Sequence, residues 1–229
     1  MTAVRAAARP HKTGENQRIS ARAEVRVGDD AVDVCIAIPG DFRLETGARL
    51  PDAEVRLRLH GRADGPVVIA AGGISAGRAL SGPDGWWRDV VGHRGGIDLD
   101  QYQVVGFDFS PVDNHRVAIA PADQARLLLI ALDGQGVERV HGFVGASYGG
   151  MVGLALAALA PERVERLCVI SAAHQPAPLA AGWRGVQRRI VDYAIAHGEP
   201  AGGLALAGHL AMITYRSADE FGSRFERVL

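Results

Sequence analysis

The residues that decide the fold lie between Val137 and Met151 and read VERVHGFVGASYGGM. A short apolar run, Val140–Val144, is followed by Gly-Ala-Ser-Tyr-Gly and then by a run rich in Ala and Leu, Val152–Leu159. This order predicts a strand, a sharp turn and a helix, with Ser147 at the tip of the turn. In that context the G-x-S-x-G pattern indicates a nucleophile elbow, because the flanking glycines permit a turn that is too tight for a Cβ atom.

A Gly-rich turn without a chemical role is the alternative interpretation of this pattern. Because G-x-S-x-G is short and degenerate, the strand before it and the helix after it carry the argument. We favour the catalytic interpretation, in which Ser147 is the nucleophile and the Tyr148 backbone N–H is the first donor of an oxyanion hole. The helix that begins here would also direct its positive N-terminal end toward the developing negative charge.

Four apolar runs alternate with helix-like segments through the middle of the chain. Runs that are apolar throughout are typical of strands buried on both faces, so their alternation with helices predicts an α/β fold with a mostly parallel sheet. Three earlier segments alternate apolar and polar residues, which predicts an antiparallel N-terminal edge with one solvent-facing surface. The apolar runs are Val67–Ala71, Val104–Asp108, Val140–Val144 and Val164–Ser171, and the alternating segments are Ala23–Val27, Ala31–Ile38 and Val55–Leu59.

Helical patterns complete the predicted organisation. A short helix is expected over Gly85–Val91 and a longer one over Pro121–Leu132, which begins with proline and ends near Gly134. The strand–helix alternation stops after Ser171, and two helical segments follow, at about 180–197 and 203–214. We therefore expect a poorly ordered arm over residues 1–21, an α/β core over 22–175 and a helical lid segment over 176–229.

Composition excludes several classes of protein. The formal net charge is −1 over 229 residues, with acidic and basic residues interspersed, so we expect no nucleic-acid or membrane partner. No Cys/His cluster has metal-ligand spacing, and we expect no metal site. Cys35 and Cys168 lie in apolar runs, which indicates buried thiols in a reducing compartment. With neither a signal peptide nor a long apolar run, the cytoplasm is the expected location.

The second donor of the oxyanion hole is predicted in the loop after the first buried strand. This loop begins Gly72-Gly73-Ile74-Ser75, and its glycines would let the backbone approach a substrate. We assign the Ile74 N–H as the donor, because this loop lies beside the elbow in the architecture that carries it. An ordinary tight turn is the alternative interpretation of the two glycines.

Six segments of the chain carry recognisable motifs: Gly72–Ser75, Gly85–Trp87, Gly145–Met151, Val169–His174, Gln187–Arg189 and Ile213–Ser217. Together they resemble the homoserine O-acyltransferases, acyl-CoA-dependent enzymes of the α/β-hydrolase superfamily. The Thr-Tyr-Arg-Ser sequence at residues 214–217 is the most specific of them, and the resemblance extends from about Val25 to the C-terminus. The Gly-Gly-Ile-Ser and Trp-Trp motifs are most similar to a branch that uses succinyl-CoA.

The resemblance implies an α/β-hydrolase fold with the start of a helical lid, and an acyl transfer that opens methionine biosynthesis. Succinyl-CoA or acetyl-CoA, a co-substrate and not a bound cofactor, would acylate Ser147, and the L-homoserine hydroxyl would then accept the acyl group. Tyr215 and Arg216, in the most specific motif, would contact the substrate. The expected assembly is a homodimer.

One departure from the family pattern concerns the acceptor. The family usually carries arginine seven residues before the lid tyrosine, where it holds the homoserine carboxylate, and this chain has Gly208 there. Glycine cannot replace a bidentate guanidinium contact. Arg216 is the candidate to replace it, and a structural ion pair is the alternative role of Arg216. Gly208 therefore keeps open a serine esterase of the same fold as the alternative enzyme.

A second departure concerns the catalytic base. The superfamily places the acid and the histidine of its triad on strands after the nucleophile, and no such strands follow Ser171. None of His174, His197 and His209 is well placed, and we reject a triad of His209 with Asp192 because no strand end fixes it. We expect the triad Asp and His to lie beyond Leu229, and a non-catalytic binding protein is the alternative.

Overall fold

The computed structural model describes residues 21–26, 31–50, 54–110 and 117–225. The arm predicted over residues 1–21 falls outside these ranges except for Ala21, where the first strand begins. Two compact units make up the chain, an α/β core that ends at His174 and a helical unit that begins at Gln175. Within the described ranges, no helix combines the length and the apolar composition needed to cross a membrane.

Seven strands form the main sheet of the core, in the order β1-β2-β3-β7-β4-β8-β9. β1, β2, β3 and β7 pair antiparallel, whereas β7, β4, β8 and β9 pair parallel. The predicted parallel sheet with an antiparallel N-terminal edge is therefore confirmed. The strands of this sheet are β1 Ala21–Arg26, β2 Ala31–Ala37, β3 Glu54–Gly61, β4 Val67–Ala71, β7 Gln103–Phe107, β8 Gly142–Ala146 and β9 Leu167–Ile170.

Two helices of the core pack against this sheet, α1 (Pro121–Gly134) and α2 (Tyr148–Leu159). Proline opens α1, where its missing N–H removes no helical hydrogen bond, and the Asp123 carboxylate accepts the Ala120 N–H at 3.0 Å. The central strands and both helices contribute to one buried hydrophobic cluster, whose fully buried members include Ile69, Leu57, Phe143, Leu128 and Leu156. This core fixes the positions at which β4 and β8 end.

The helix predicted over Gly85–Val91 is wrong. The segment forms turns, in which the Val90 and Val91 N–H groups both donate to the Trp87 carbonyl, and it leads into the two-residue strand β5 (Val91–Gly92). β5 pairs in parallel with β6 (Ile97–Asp98). These turns do not extend into a helix because Gly92 follows directly, with Gly95 and Gly96 shortly after it, and glycine disfavours helix interiors.

The fourth buried strand is shorter than predicted. Pro161–Arg163 form a 3-10 turn, Val164 makes only an isolated bridge to Val140, and β9 covers Leu167–Ile170. Ser171 ends the strand with a φ of +50°. β9 is the edge strand of the sheet among the described residues, and Cys168 is exposed on it, so the buried thiol predicted there is wrong; Cys35 is only partly buried.

The helical unit contains α3 (Pro178–Ala196), α4 (Pro200–Thr214) and α5 (Ala218–Phe225). The first two correspond to the predicted segments, and α5 was not predicted. α3 and α4 approach closely at Gly203, where a Cβ atom would overlap the Ala194 side chain. The Gln187 side chain also donates to the Ala207 carbonyl at 3.0 Å, so a close backbone approach and a hydrogen bond hold this helix pair together.

Candidate active site

Ser147 occupies the turn between β8 and α2 in a strained backbone conformation. Its φ of +53° and ψ of −120° lie in a region that residues with side chains rarely adopt. The Ser147 N–H donates to the Ile170 carbonyl of β9 at 2.9 Å, which helps to fix this conformation. The side chain is exposed at the tip of the turn. The predicted unfavourable dihedrals of Ser147 are therefore confirmed.

The glycines on either side of Ser147 are required by space. A Cβ atom on Gly145 would lie 2.5 Å from the Gly149 carbonyl oxygen, and one on Gly149 would lie 2.5 Å from the Ala71 carbonyl oxygen. Both neighbours are backbone atoms, which cannot move aside as a flexible side chain can. A Cβ on Gly150 would meet the Ala172 side chain at 2.7 Å. The tight turn predicted from G-x-S-x-G is therefore confirmed.

The loop after β4 lies at the same sheet edge as the elbow, because β4 and β8 are parallel neighbours that end together at the Ala71–Gly145 pair. The Gly149 N–H donates to the Gly72 carbonyl at 2.8 Å and ties the start of the loop to the elbow helix. Within the described part of the chain, neither the Ile74 nor the Tyr148 backbone N–H donates to an acceptor. Both predicted oxyanion donors therefore remain available to a substrate oxygen.

The Tyr148 side chain serves packing. Its ring meets Phe109 edge to face, with the centroids 4.8 Å apart, and both side chains pack against the buried core. Burial raises the pKa of the Tyr148 phenol, and a hydrogen bond with Gln124 opposes this shift. The phenol therefore stays protonated at neutral pH, and only the backbone of Tyr148 faces the candidate chemistry.

A charged network holds the far end of the loop after β4. Asp108, which follows β7, accepts the Arg78 backbone N–H at 2.8 Å and the Arg78 guanidinium at 2.5 Å. Asp33 on β2 accepts from Arg78 at 3.0 Å and from Arg58 on β3 at 2.6 Å. Hydrogen bonds from Arg58 and Arg78, opposed by burial, lower the pKa of Asp33 to about 2. The Asp33 carboxylate therefore stays ionised at neutral pH.

Sequence reasoning missed this network. A signal was present, because Asp33 and Arg58 interrupt the apolar residues of two adjacent strands and face each other in the antiparallel register. The other two residues of the network, Arg78 and Asp108, follow β4 and β7 in the chain. They come together only because these two strands are parallel neighbours in the sheet. That neighbour order cannot be read from the local pattern.

A family model described as alpha/beta hydrolase fold matches residues 65–218, which span β4, the elbow and most of the helical unit. The chain belongs to the α/β-hydrolase fold family. The strained serine between β8 and α2 thus lies where that architecture carries its nucleophile elbow.

Curated relatives of this α/β hydrolase include a homoserine O-succinyltransferase from Xanthomonas campestris, 42% identical over 76% of this chain and 49% of the relative. A serine O-succinyltransferase from Litchfieldella anticariensis is 28% identical over 84% of this chain and 62% of the relative. The crystal structure of a homoserine O-acetyltransferase from Bacillus anthracis superposes with a TM-score of 0.75, at 18% identity, over 85% of this chain and 63% of that one. The chain thus spans about half to three-fifths of the length of these proteins.

The histidines of this α/β hydrolase do not reveal a base for Ser147. His174, the described histidine that follows Ser147 in the core, is exposed and makes no hydrogen bond to a described residue. In the helical unit, His197 ends α3 and stacks on Tyr193 with centroids 4.0 Å apart, and His209 is an exposed residue of α4. Among the described residues, no group of three His, Cys, Asp or Glu side chains could hold a metal ion.

The proposed substrate residues Tyr215 and Arg216 follow α4 in the helical unit. Tyr215 is 78% exposed, and both residues border a groove of about 560 Å³ that Trp183 and Gln187 also line. The Arg216 guanidinium pairs with Glu220, one turn along, at 2.6 Å. Arg216 thus makes the structural ion pair that was its alternative role, through one of its terminal nitrogens.

Proposed function

We propose that this chain supplies the nucleophile and the oxyanion hole of an acyl-CoA-dependent homoserine O-acyltransferase of methionine biosynthesis, with succinyl-CoA or acetyl-CoA as donor. The observation that carries the proposal is the exposed Ser147 at a φ of +53°, at the start of a helix whose first backbone N–H is available. The named activities of the relatives support a transferase. In this proposal the protein acts in the cytoplasm as a homodimer.

In the first half-reaction Ser147 Oγ attacks the thioester carbonyl carbon of the acyl-CoA, and its proton passes to a general base. The carbonyl oxygen becomes an oxyanion and accepts hydrogen bonds from the backbone N–H groups of Tyr148 and Ile74, each of which is worth about 10²–10³ in rate in such sites. The C–S bond then breaks, CoA leaves as the thiol after protonation, and an acyl ester remains on Ser147.

In the second half-reaction the homoserine hydroxyl attacks the ester carbonyl. Its proton passes to the base, and the same two backbone N–H groups stabilise the second oxyanion. The C–O bond to Ser147 breaks, Ser147 Oγ recovers a proton, and O-acylhomoserine leaves. Water that reached the ester in place of homoserine would give hydrolysis, so the same site can act as a transferase or an esterase according to the nucleophile it admits.

The test is a comparison of acceptors with the protein expressed from its complete gene. Without an acceptor we expect acyl-CoA to release at most one equivalent of thiol per chain, and with L-homoserine we expect continuous thiol release with O-acylhomoserine formed in equal amount by mass spectrometry. L-Serine in place of homoserine measures acceptor choice, since one relative is named as a serine O-succinyltransferase. Equal thiol release with and without an acceptor would instead identify a hydrolase, which is the candidate that Gly208 favours.

Gly208 provides a prediction about acceptor affinity. Gly208 is exposed on α4, and a Cβ atom there would meet nothing within 4 Å, so an arginine fits without strain. A charge-assisted hydrogen bond contributes about 1.5–3 kcal/mol, or about one to two decades in affinity. We expect weak homoserine use by the natural sequence and a KM for homoserine about 10–100-fold lower in Gly208→Arg, measured by initial rates.

Gly208→Met is the matched control, because methionine and arginine raise helix propensity over glycine by similar amounts while only arginine carries charge. The methionine variant should keep the high KM. An equal fall in KM in both variants would attribute the effect to helix stability. Tight homoserine binding by the natural sequence would show that another residue holds the carboxylate, with Arg216 as the candidate.

A further inference from the structure

The candidate oxyanion loop, residues 72–77, presents its donor from an exposed tip. Ile74 is 68% exposed, and the one backbone hydrogen bond inside the loop runs from the Ala76 N–H to the Gly73 carbonyl at 2.9 Å. A loop with this few internal contacts and several glycines samples many conformations unless its ends are fixed. An oxyanion donor must be held in place before the charge develops, so something outside the loop has to fix it.

One side chain, Trp86, contacts both ends of this loop. Its ring lies against Gly72, where a Cβ atom would be 2.7 Å from Cη2 and 2.8 Å from Cζ2. Its Nε1–H donates to the Gly77 carbonyl at 2.9 Å. The indole is a rigid plane, so these two contacts set the separation of the loop ends. A side chain on Gly72 is excluded by this ring together with the Ala76 side chain, whose Cβ would lie 2.6 Å from the added atom.

Trp86 is itself held by the buried part of the core. Its backbone N–H donates to the Ala79 carbonyl at 3.2 Å, and the next N–H, of Trp87, donates to Leu80 at 3.1 Å. The Trp86 and Trp87 rings stack with centroids 4.9 Å apart and an angle of 13°. Trp87 in turn packs against a buried cluster that includes Leu80 and Val104. The ring position is therefore fixed from the core outward.

We infer that Trp86 is a positioning residue for the acyl-transfer site: it holds residues 72–77 so that the Ile74 N–H points at the substrate oxygen. Trp86 does not touch the reacting atoms and acts through the loop. The claim that the fixed loop promotes acyl transfer rests on the function proposed above. The claim that Trp86 fixes the loop does not.

The test compares Trp86→Phe with Trp87→Phe in the protein expressed from its complete gene. Phenylalanine at 86 lacks Nε1–H and cannot reach Gly72, whereas phenylalanine at 87 keeps a stacked ring and leaves both loop contacts in place. Two measurements are made on each variant. Hydrogen exchange is followed at the Ala76 amide, which donates within the loop, and at the Arg78 amide, which directly follows the loop and donates to Asp108. The kcat and the KM for acyl-CoA are measured separately.

In Trp86→Phe we expect hydrogen exchange of these two amides to accelerate by about tenfold. This factor corresponds to the net stability that roughly one hydrogen bond contributes. We expect kcat to fall by about tenfold, less than the 10²–10³ for removal of a donor, because the N–H remains but is less often in place. KM and the exchange of α1 amides should stay close to wild type. Trp87→Phe should match wild type in the loop exchange and in kcat.

The inference is overturned if the loop exchanges no faster in Trp86→Phe than in the wild type, or if it loosens in Trp86→Phe without a fall in kcat. A rise in KM with constant kcat would also overturn it, because that result means lost substrate binding. If the wild type transfers no acyl group, the proposed function fails on its own. The exchange measurement then still decides whether Trp86 fixes the loop.

Discussion

We expect Ser147→Ala to lower acyl transfer by about 10⁴–10⁶, the loss seen when the nucleophile of a serine triad is removed. Alanine has no oxygen to form the acyl ester, so only the weak effects of binding and the oxyanion hole remain. The fold should be retained, because the hydrogen bond from the Ser147 backbone N–H to the Ile170 carbonyl does not involve the side chain, and the side chain is exposed. Initial rates of thiol release, with circular dichroism and thermal unfolding on the same samples, measure both effects.

Ser171→Ala is the matched control for that experiment. Ser171 is also an exposed serine with positive φ, at +50°, and it also follows a strand of the parallel part of the sheet. Any effect of placing alanine in a strained conformation is therefore common to both variants. Activity near that of wild type in Ser171→Ala, with loss in Ser147→Ala, assigns the loss to the hydroxyl. Retention of most activity in Ser147→Ala would refute the elbow as the site of chemistry.

The second large effect concerns the polypeptide Met1–Leu229 expressed alone. A serine hydroxyl is a poor nucleophile at neutral pH unless a base is adjacent, and His174 in the described core is exposed and unbonded. We expect this polypeptide to fold but to show no turnover with succinyl-CoA or acetyl-CoA, a deficit of about 10⁴–10⁶ relative to a complete triad. A fluorophosphonate probe should leave Ser147 unlabelled, as judged by intact mass.

Labelling of Ser147 at a rate typical of serine hydrolases would contradict this expectation. It would mean that a base lies within Met1–Leu229. His174→Asn and His209→Asn would then identify it, since each removes one candidate imidazole and keeps a side chain of similar size. Loss of labelling in one of them, with thermal stability unchanged, would assign the base.

The sequence determined the elbow because its constraints are local. The positions of Gly145, Ser147 and Gly149 follow from steric limits within one turn, and a strand that is apolar throughout indicates burial on both faces when it lies inside the sheet, as β4 does, but not at its edge, as β9 shows. The parallel sheet and its antiparallel edge could be predicted for the same reason. Helix α1 was also predictable, since proline marks its start and glycine its end.

Features that depend on the order of strands in the sheet could not be predicted. The Trp86 contacts with Gly72 and Gly77 arise because a chain segment returns over the end of β4, and the segment's apolar residues suggested a helix instead. The Arg78–Asp108 pair likewise needs β4 and β7 to be neighbours. The structural ion pair of Arg216, by contrast, was the alternative role predicted for it, and only its partner, Glu220, was not named, because α5 was not predicted.

The measurement that most directly tests the central claim is the mass of the acyl-enzyme. The protein expressed from its complete gene is mixed with succinyl-CoA or acetyl-CoA without an acceptor, quenched in acid and digested. We predict one acyl group per chain, on the peptide that contains Ser147, and its disappearance with formation of O-acylhomoserine when L-homoserine is added before the quench. O-acylhomoserine formed with no acyl group on Ser147 at any time of quenching, or with the acyl group on another residue, would contradict the account.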